Sequence, residues 1–190
     1  MGFSNLFKRA QGKPSIRETR ELSSLRGPLT AREALTAILP QVREADPEFK
    51  LTFVGSGEGI NHEGRAYAWD FFFESVRSQQ MGDFTVRLCP REGDDEGPWC
   101  VDMRVRPIRD SATQSLKLTP RPPRPALPVD FRDSPEAVRA LAEQGADWIS
   151  GDTHMTLSSK VRPDGAVVWH TFCWDQEYQT PFANLDSDGP

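Results

Sequence analysis

Two tandem α+β modules, each a helix packed on an antiparallel sheet, joined by a Pro-rich connector, are the fold class that the sequence predicts. Three observations carry this reading. A helix-start signature is written twice, as Thr30-Ala-Arg-Glu33 and as Asp133-Ser134-Pro135-Glu136. Each is followed by a strand, a turn and a Trp-centred strand: GRAYAWDFFFES at residues 64–75 and GAVVWHTFCWDQ at residues 165–176, with Trp169 matching Trp69 and Phe172 matching Phe72. Between the two runs lies TPRPPRPALP, whose prolines favour extended polyproline geometry and a stiff connector. The implied divisions are an amino-terminal arm (1–27), a first module (28–117), a connector (118–129) and a second module (130–190).

The arm carries six cations against two acids, a net +4, while the chain as a whole is −5. Its polar composition predicts a flexible segment. Phe3, Leu6 and Phe7 share one side of a short helical stretch that ends at Lys8 and Arg9. The functional alternative for that stretch is a weak membrane-surface contact.

The first module opens at a capping box, with Thr30 accepting from the Glu33 amide and Glu33 reaching back. Ala34, Leu35, Ile38, Leu39 and Val42 follow helical spacing; Pro40 is expected to kink or divide the helix, and Asp46-Pro47 to end it. KLTFVGS reads as a strand, with Gly55-Ser56-Gly57-Glu58-Gly59 as its turn. In the aromatic strand Tyr67, Trp69, Phe71 and Phe73 point one way, and Ala66, Ala68, Asp70, Phe72 and Glu74 the other. DFTVRLC and WCVDMRVR then form a hairpin that sets Arg87 against the Asp102/Arg104 region.

The second module begins with Asp133 as cap and Pro135 in the first turn. Val138, Leu141 and Ala142 continue the helix to Gly145, and Trp148 with Ile149 form a further apolar patch. HMTLSS, the turn RPDG and AVVWHTFCW complete a second hairpin.

DSPEAVRAL, GAVVWHTF and the closing FANLDSDGP, with its Asp186-to-Gly189 turn, resemble the PepSY-like family over residues 130–190, and residues 30–107 resemble a longer, diverged copy. The resemblance implies a cystatin-like helix on an antiparallel sheet, with FANLDSDGP as its final strand. It also implies a noncatalytic protein that binds or restrains peptidases, commonly outside the cytoplasm.

Composition excludes several functions. An acidic body argues against nucleic-acid binding, which needs a basic face. Three cysteines, Cys89, Cys100 and Cys173, without a CxxC argue against a disulfide framework. No apolar run reaches the roughly 18 residues of a membrane span, and MGFSNLFKRA lacks the apolar core of a secretory signal. The expected compartment is the cytoplasm of a bacterial cell, given an Arg-rich, Ile- and Asn-poor composition. His170 and Cys173 fall on opposite faces of one strand, no HExxH or GxSxG is present, and the acidic run Asp94, Asp95 and Glu96 reads as a solvated hairpin loop rather than a Ca²⁺ site. The expectation is therefore no catalytic residues, no metal and no cofactor.

The functional expectation is a noncatalytic binding module that engages a protein partner through sheet surface or edge, in an adaptor or peptidase-regulating role. Phe72, Phe172, Trp174 and His170 are the candidate contacts, since their apolar bulk is poorly suited to an open wet face. They meet one another across the modules, or another chain, including a second copy. The alternative is a small-ligand or nucleotide binder using Gly55, Ser56, Gly57, Gly59 and Arg65, although a phosphate loop needs a following helix and a strand follows here.

Overall fold

The protein is described by a computed structural model that covers residues 16–57, 59–89, 97–108, 124–144, 155–173 and 176–182. The elements run β1 (Ile16–Glu21), α1 (Ala31–Ala45), β2 (Lys50–Ser56), β3 (Ala68–Ser75), β4 (Gln80–Leu88), β5 (Trp99–Pro107), α2 (Ser134–Ala142), β6 (Met155–Val161), β7 (Val167–Cys173) and β8 (Gln176–Pro181).

The expected pair of separate modules is corrected at its centre. All eight strands join one antiparallel sheet in the order β1-β5-β4-β3-β2-β6-β7-β8. The first strand after each helix would be a module's exposed edge. Instead β2 and β6 pair with each other, Gly55 opposite Ser158, and the two runs of strands become continuous. An unpaired edge presents a row of unsatisfied amides and carbonyls, and this pairing removes two such edges.

Both helices lie on one face of that sheet. Leu51, Val54, Trp69, Phe71, Phe73, Phe84, Val86, Val101, Met103 and Val105 form the buried lining beneath α1, which adds Ala31, Ala34, Leu35, Ile38 and Val42. The alternation read in β3 holds for Trp69, Phe71 and Phe73, while Tyr67 precedes the strand and is exposed. Pro40 neither ends nor divides α1, which continues to Ala45. Under α2, Phe131, Trp169 and Phe182 close a three-ring cluster with centroids 4.6–5.5 Å apart.

The two helix starts meet. Trp69 Nε1 donates to the carbonyl of Leu29, just before the α1 cap, at 2.8 Å. Trp169 Nε1 donates to the carbonyl of Arg132, just before the α2 cap, at 2.7 Å. Thr30 and Glu33 form the expected capping box. The remaining first-turn amides of α1 are capped from α2: Ala31 N donates to Ser134 Oγ at 3.0 Å and Arg32 N to Asp133 Oδ1 at 3.0 Å. Asp133 Oδ1 also accepts from Ser134 N at 2.8 Å, so one carboxylate caps both helices. The turn at Asn61–Arg65 seals this junction. Gly64 has φ +74°, and a Cβ there would lie 2.6 Å from backbone atoms of Ser134 and Pro135.

Part of the arm expected to be flexible is instead structured. Ile16–Glu21 pairs with β5 along its length, Leu22 N donates to Trp99 O, and Leu22 is buried. Arg20 reaches Glu44 of α1 at 2.5 Å. Removing residues 1–27 is therefore expected to destabilise the protein by about 2–3 kcal/mol, roughly the worth of one buried Leu side chain. That corresponds to a fall of roughly 5–10 °C in Tm; an unchanged Tm would show that β1 adds nothing. Phe3, Leu6 and Phe7 lie outside the described residues, as do Trp148, Ile149, Asp186 and Gly189. The last described strand is β8, upstream of FANLDSDGP. The connector is described from Arg124, and Leu127 is buried with its amide bonded to Leu51 O at 2.7 Å.

Candidate functional site

With the helices on one side, the opposite face of the sheet is where the predicted contact residues fall. Side chains in register form rows across it. In one row, Thr19, Asp102, Thr85, Asp70, Gly55, Ser158, His170 and Gln179 sit on successive strands. Thr19 Oγ1 donates to Asp102 Oδ1 at 2.5 Å, Arg87 Nε to Asp102 Oδ2 at 2.7 Å, and Thr85 Oγ1 to Asp70 Oδ1 at 2.6 Å. Burial works to raise the Asp102 carboxyl, but the Thr19 hydroxyl and the Arg87 guanidinium outweigh it and hold it below the ordinary range. The predicted opposition of Arg87 to Asp102 is thus present as an ion pair.

At the centre of this face lies an aromatic pair. Phe72 is half-buried and stacks on Phe53, centroids 4.8 Å apart and planes 22° apart. A register shift between Leu51 and Phe53 brings Phe53 opposite Phe72. The Phe53 ring also lies over Gly55, where a Cβ would come within 2.7 Å of it. From the connector, the Arg124 guanidinium sits 5.9 Å from the Phe72 ring centroid and its Nε 3.5 Å from Glu74 Oε1. Arg106 pairs with Asp83 at 3.0 Å nearby.

Of the four predicted contacts, Phe72 and His170 do not meet each other within the chain. Phe72 is on β3 and His170 on β7, with β2 and β6 between them. They lie side by side on one sheet, so Phe72 is covered by Phe53 and Arg124. His170 keeps a side chain 16% exposed, with Nε2 3.3 Å from Glu177 Oε2. Phe172 occupies the β7 position opposite Thr156 and Glu177, and Trp174 lies outside the described residues. Sequence reasoning missed Phe53 and Arg124. An irregular strand hides the phase of the first, and a connector gives no reason to expect the second to touch the sheet.

The glycine loop is built into the sheet. Gly55 is paired on both sides, Ser56 Oγ accepts from Leu157 N at 3.0 Å, and Gly57 N donates to Ala68 O at 3.0 Å. Gly59 precedes an isolated bridge between Ile60 and Ala66. Arg65 is committed to Glu33 at 2.9 Å and to the Pro28 carbonyl at 3.1 Å. These groups therefore knit β2 to β3, β6 and the start of α1. Arg65 also lines a cavity of about 580 Å³ with His62, Glu63, Pro135 and Arg139.

Cys89 and Cys100 are free thiols on adjoining strand ends. Burial, then the neighbouring Cys89 thiol, push the Cys100 thiol up to about 12, which keeps it protonated and a poor nucleophile near neutral pH. Among the described residues no group of three or more His, Cys, Asp or Glu side chains is placed to hold a metal ion. Among them, too, no helix is long and apolar enough to cross a membrane.

No protein-family model, curated protein or solved structure matches this chain.

Proposed function

We propose that the protein is a noncatalytic binding module that engages a protein partner across the helix-free face of its sheet. The observation that carries this reading is the stacked Phe53–Phe72 pair at the centre of that face, bordered by the ion pairs Arg87–Asp102, Arg106–Asp83 and Arg124–Glu74. An aromatic centre within a charged border is the usual anatomy of a specific protein interface. Size supports the same reading. Eight strands at about 4.8 Å spacing span roughly 35 Å, and with strands about 20–30 Å long the face offers the roughly 800 Å² per partner of a standard interface.

Capture of partners by the full chain from its native cells tests the proposal, with two exposed arginines reversed in turn. Arg104 lies on β5 on the helix-free face, and Arg43 lies in the last turn of α1 on the other side. Wild type and Arg43→Glu are expected to retain the same partner at near-equal stoichiometry, with Arg104→Glu and Phe72→Ala weakening it at least tenfold. Loss in Arg43→Glu alone, or no stoichiometric partner for wild type, would overturn the reading.

A further inference from the structure

Among the described residues the sheet ends at β1 on one side and at β8 on the other. The backbone bonds fix which amides of each end strand point away from the sheet. Leu22 N donates to Trp99 O, directly opposite it in register, so Leu22, Arg20 and Glu18 turn their backbone groups toward β5. Arg17, Thr19 and Glu21 therefore turn theirs outward. At the far edge Phe182 N donates to Val167 O, which leaves Glu177, Gln179 and Pro181 facing out. Pro181 has no N–H to give, and the Gln179 carbonyl accepts from Gln144 Nε2 at 3.4 Å. The β8 edge is thereby blunted. The β1 edge differs, since each of its outward residues carries an N–H, and Arg17, Thr19 and Glu21 are exposed.

Charges on an edge strand ordinarily keep other strands away. IRETRE is different, because its charges complement themselves when the strand is reversed. Antiparallel pairing of two copies must place outward residues opposite outward residues. With Thr19 opposite Thr19 of the second copy, Arg17 faces Glu21 of that copy and Glu18 faces its Arg20, in both directions. The neighbouring registers that keep this phase set Glu18 opposite Glu18, or Arg20 opposite Arg20, and like charges directly opposite are destabilising. The side chains are already oriented for the favoured register. Arg20 pairs with Glu18 at 2.8 Å and with Glu44 of α1, which holds both β1 charges on the helix side. Thr19 is held on the other face by Asp102.

We propose that β1 is the interface of a homodimer, in which two copies pair antiparallel about a twofold axis at Thr19 and join their sheets edge to edge. Thr19 exchanges N–H···O bonds with Thr19 of the second copy, and the Arg17–Glu21 and Glu18–Arg20 pairs flank it on the two faces. Residues opposite each other across the axis point to the same face, so the helix-free faces of the two copies become one continuous surface. The edge is separate from the Phe53–Phe72 pair and does not depend on what binds there.

Sedimentation velocity of the full chain across a concentration series is the test. The contact is short, so wild type is expected to pass from monomer to dimer with a Kd of about 10–100 µM. Thr19→Pro removes the central outward N–H without touching the bonds from β1 to β5, and should weaken the dimer about tenfold or more. Arg17→Glu and Glu21→Arg each set like charges face to face and should weaken it as much. An equimolar mixture of those two variants restores opposite charges at both ends, and should dimerise at concentrations where neither does alone. That mixture carries the test should Thr19→Pro fail to fold. A wild type that stays monomeric to about 1 mM, a dimer that both charge variants leave intact, or a mixture no heavier than its components overturns the proposal.

Discussion

Replacing Trp169 by Ala is expected to destabilise the protein by about 3–5 kcal/mol, and Trp69→Ala by as much, the range for truncating a fully buried aromatic. Both side chains are 0% exposed. Each does two jobs. The ring fills the space between sheet and helix, Trp169 packing on Phe131 and Phe182 at 5.5 and 4.6 Å. The indole N–H holds the backbone immediately before a helix cap, at Arg132 or Leu29. Losing the ring opens a cavity; losing the N–H takes a donor from the Arg132 carbonyl at Trp169, while at Trp69 the Leu29 carbonyl still accepts from Ala66 N at 2.9 Å. A whole domain is stable by only about 5–15 kcal/mol, so either Ala variant is close to the limit of folding. Trp→Phe separates the two roles: it keeps most of the buried area and should lose about 1–2 kcal/mol. Urea unfolding measures both. A change near zero at either position would mean that the tryptophan does not anchor its helix.

Asp133→Ala is expected to lose about 2–3 kcal/mol, more than one cap is ordinarily worth. Its Oδ1 accepts from Ser134 N in its own helix and from Arg32 N in α1, so a single truncation strips two first-turn amides. Both sit where the helix dipole favours negative charge. Asp133→Asn keeps the acceptor and should cost no more than about 1 kcal/mol. Equal losses in Ala and Asn would assign the effect to charge alone and remove the shared cap from the account.

Local signals in the sequence carried most of the elements. The Thr30 and Asp133 helix starts, the in–out alternation of β3, β4 and β5, and the burial of Trp69 and Trp169 all follow from spacing of 3.6 or 2 residues and from cap chemistry. What escaped was set by pairing between distant segments. IRETRE in β1 and QEYQTP in β8 are charged or polar strands with little apolar alternation, and each becomes a strand by pairing with a neighbour. The junction of β2 with β6 joins residues about a hundred positions apart, and no local pattern announces it. The same holds for the site. Phe72 was readable as an outward residue, but its cover by Phe53 and Arg124 depends on a register shift and on a docked connector. Trp99 read correctly as inward, whereas the lack of a partner for its indole N–H among the described residues is a property of three-dimensional surroundings alone.

One continuous sheet, joined between β2 and β6, takes the place of two separate modules. Cross-strand proton contacts in the NMR spectrum of the intact protein test it most directly. Backbone contacts are expected between Gly55 and Ser158, alongside those between Gly55 and Asp70 and between Ser158 and His170. Observing the latter two while Gly55 and Ser158 show none would restore two independent sheets and contradict the architecture on which the proposed binding face rests.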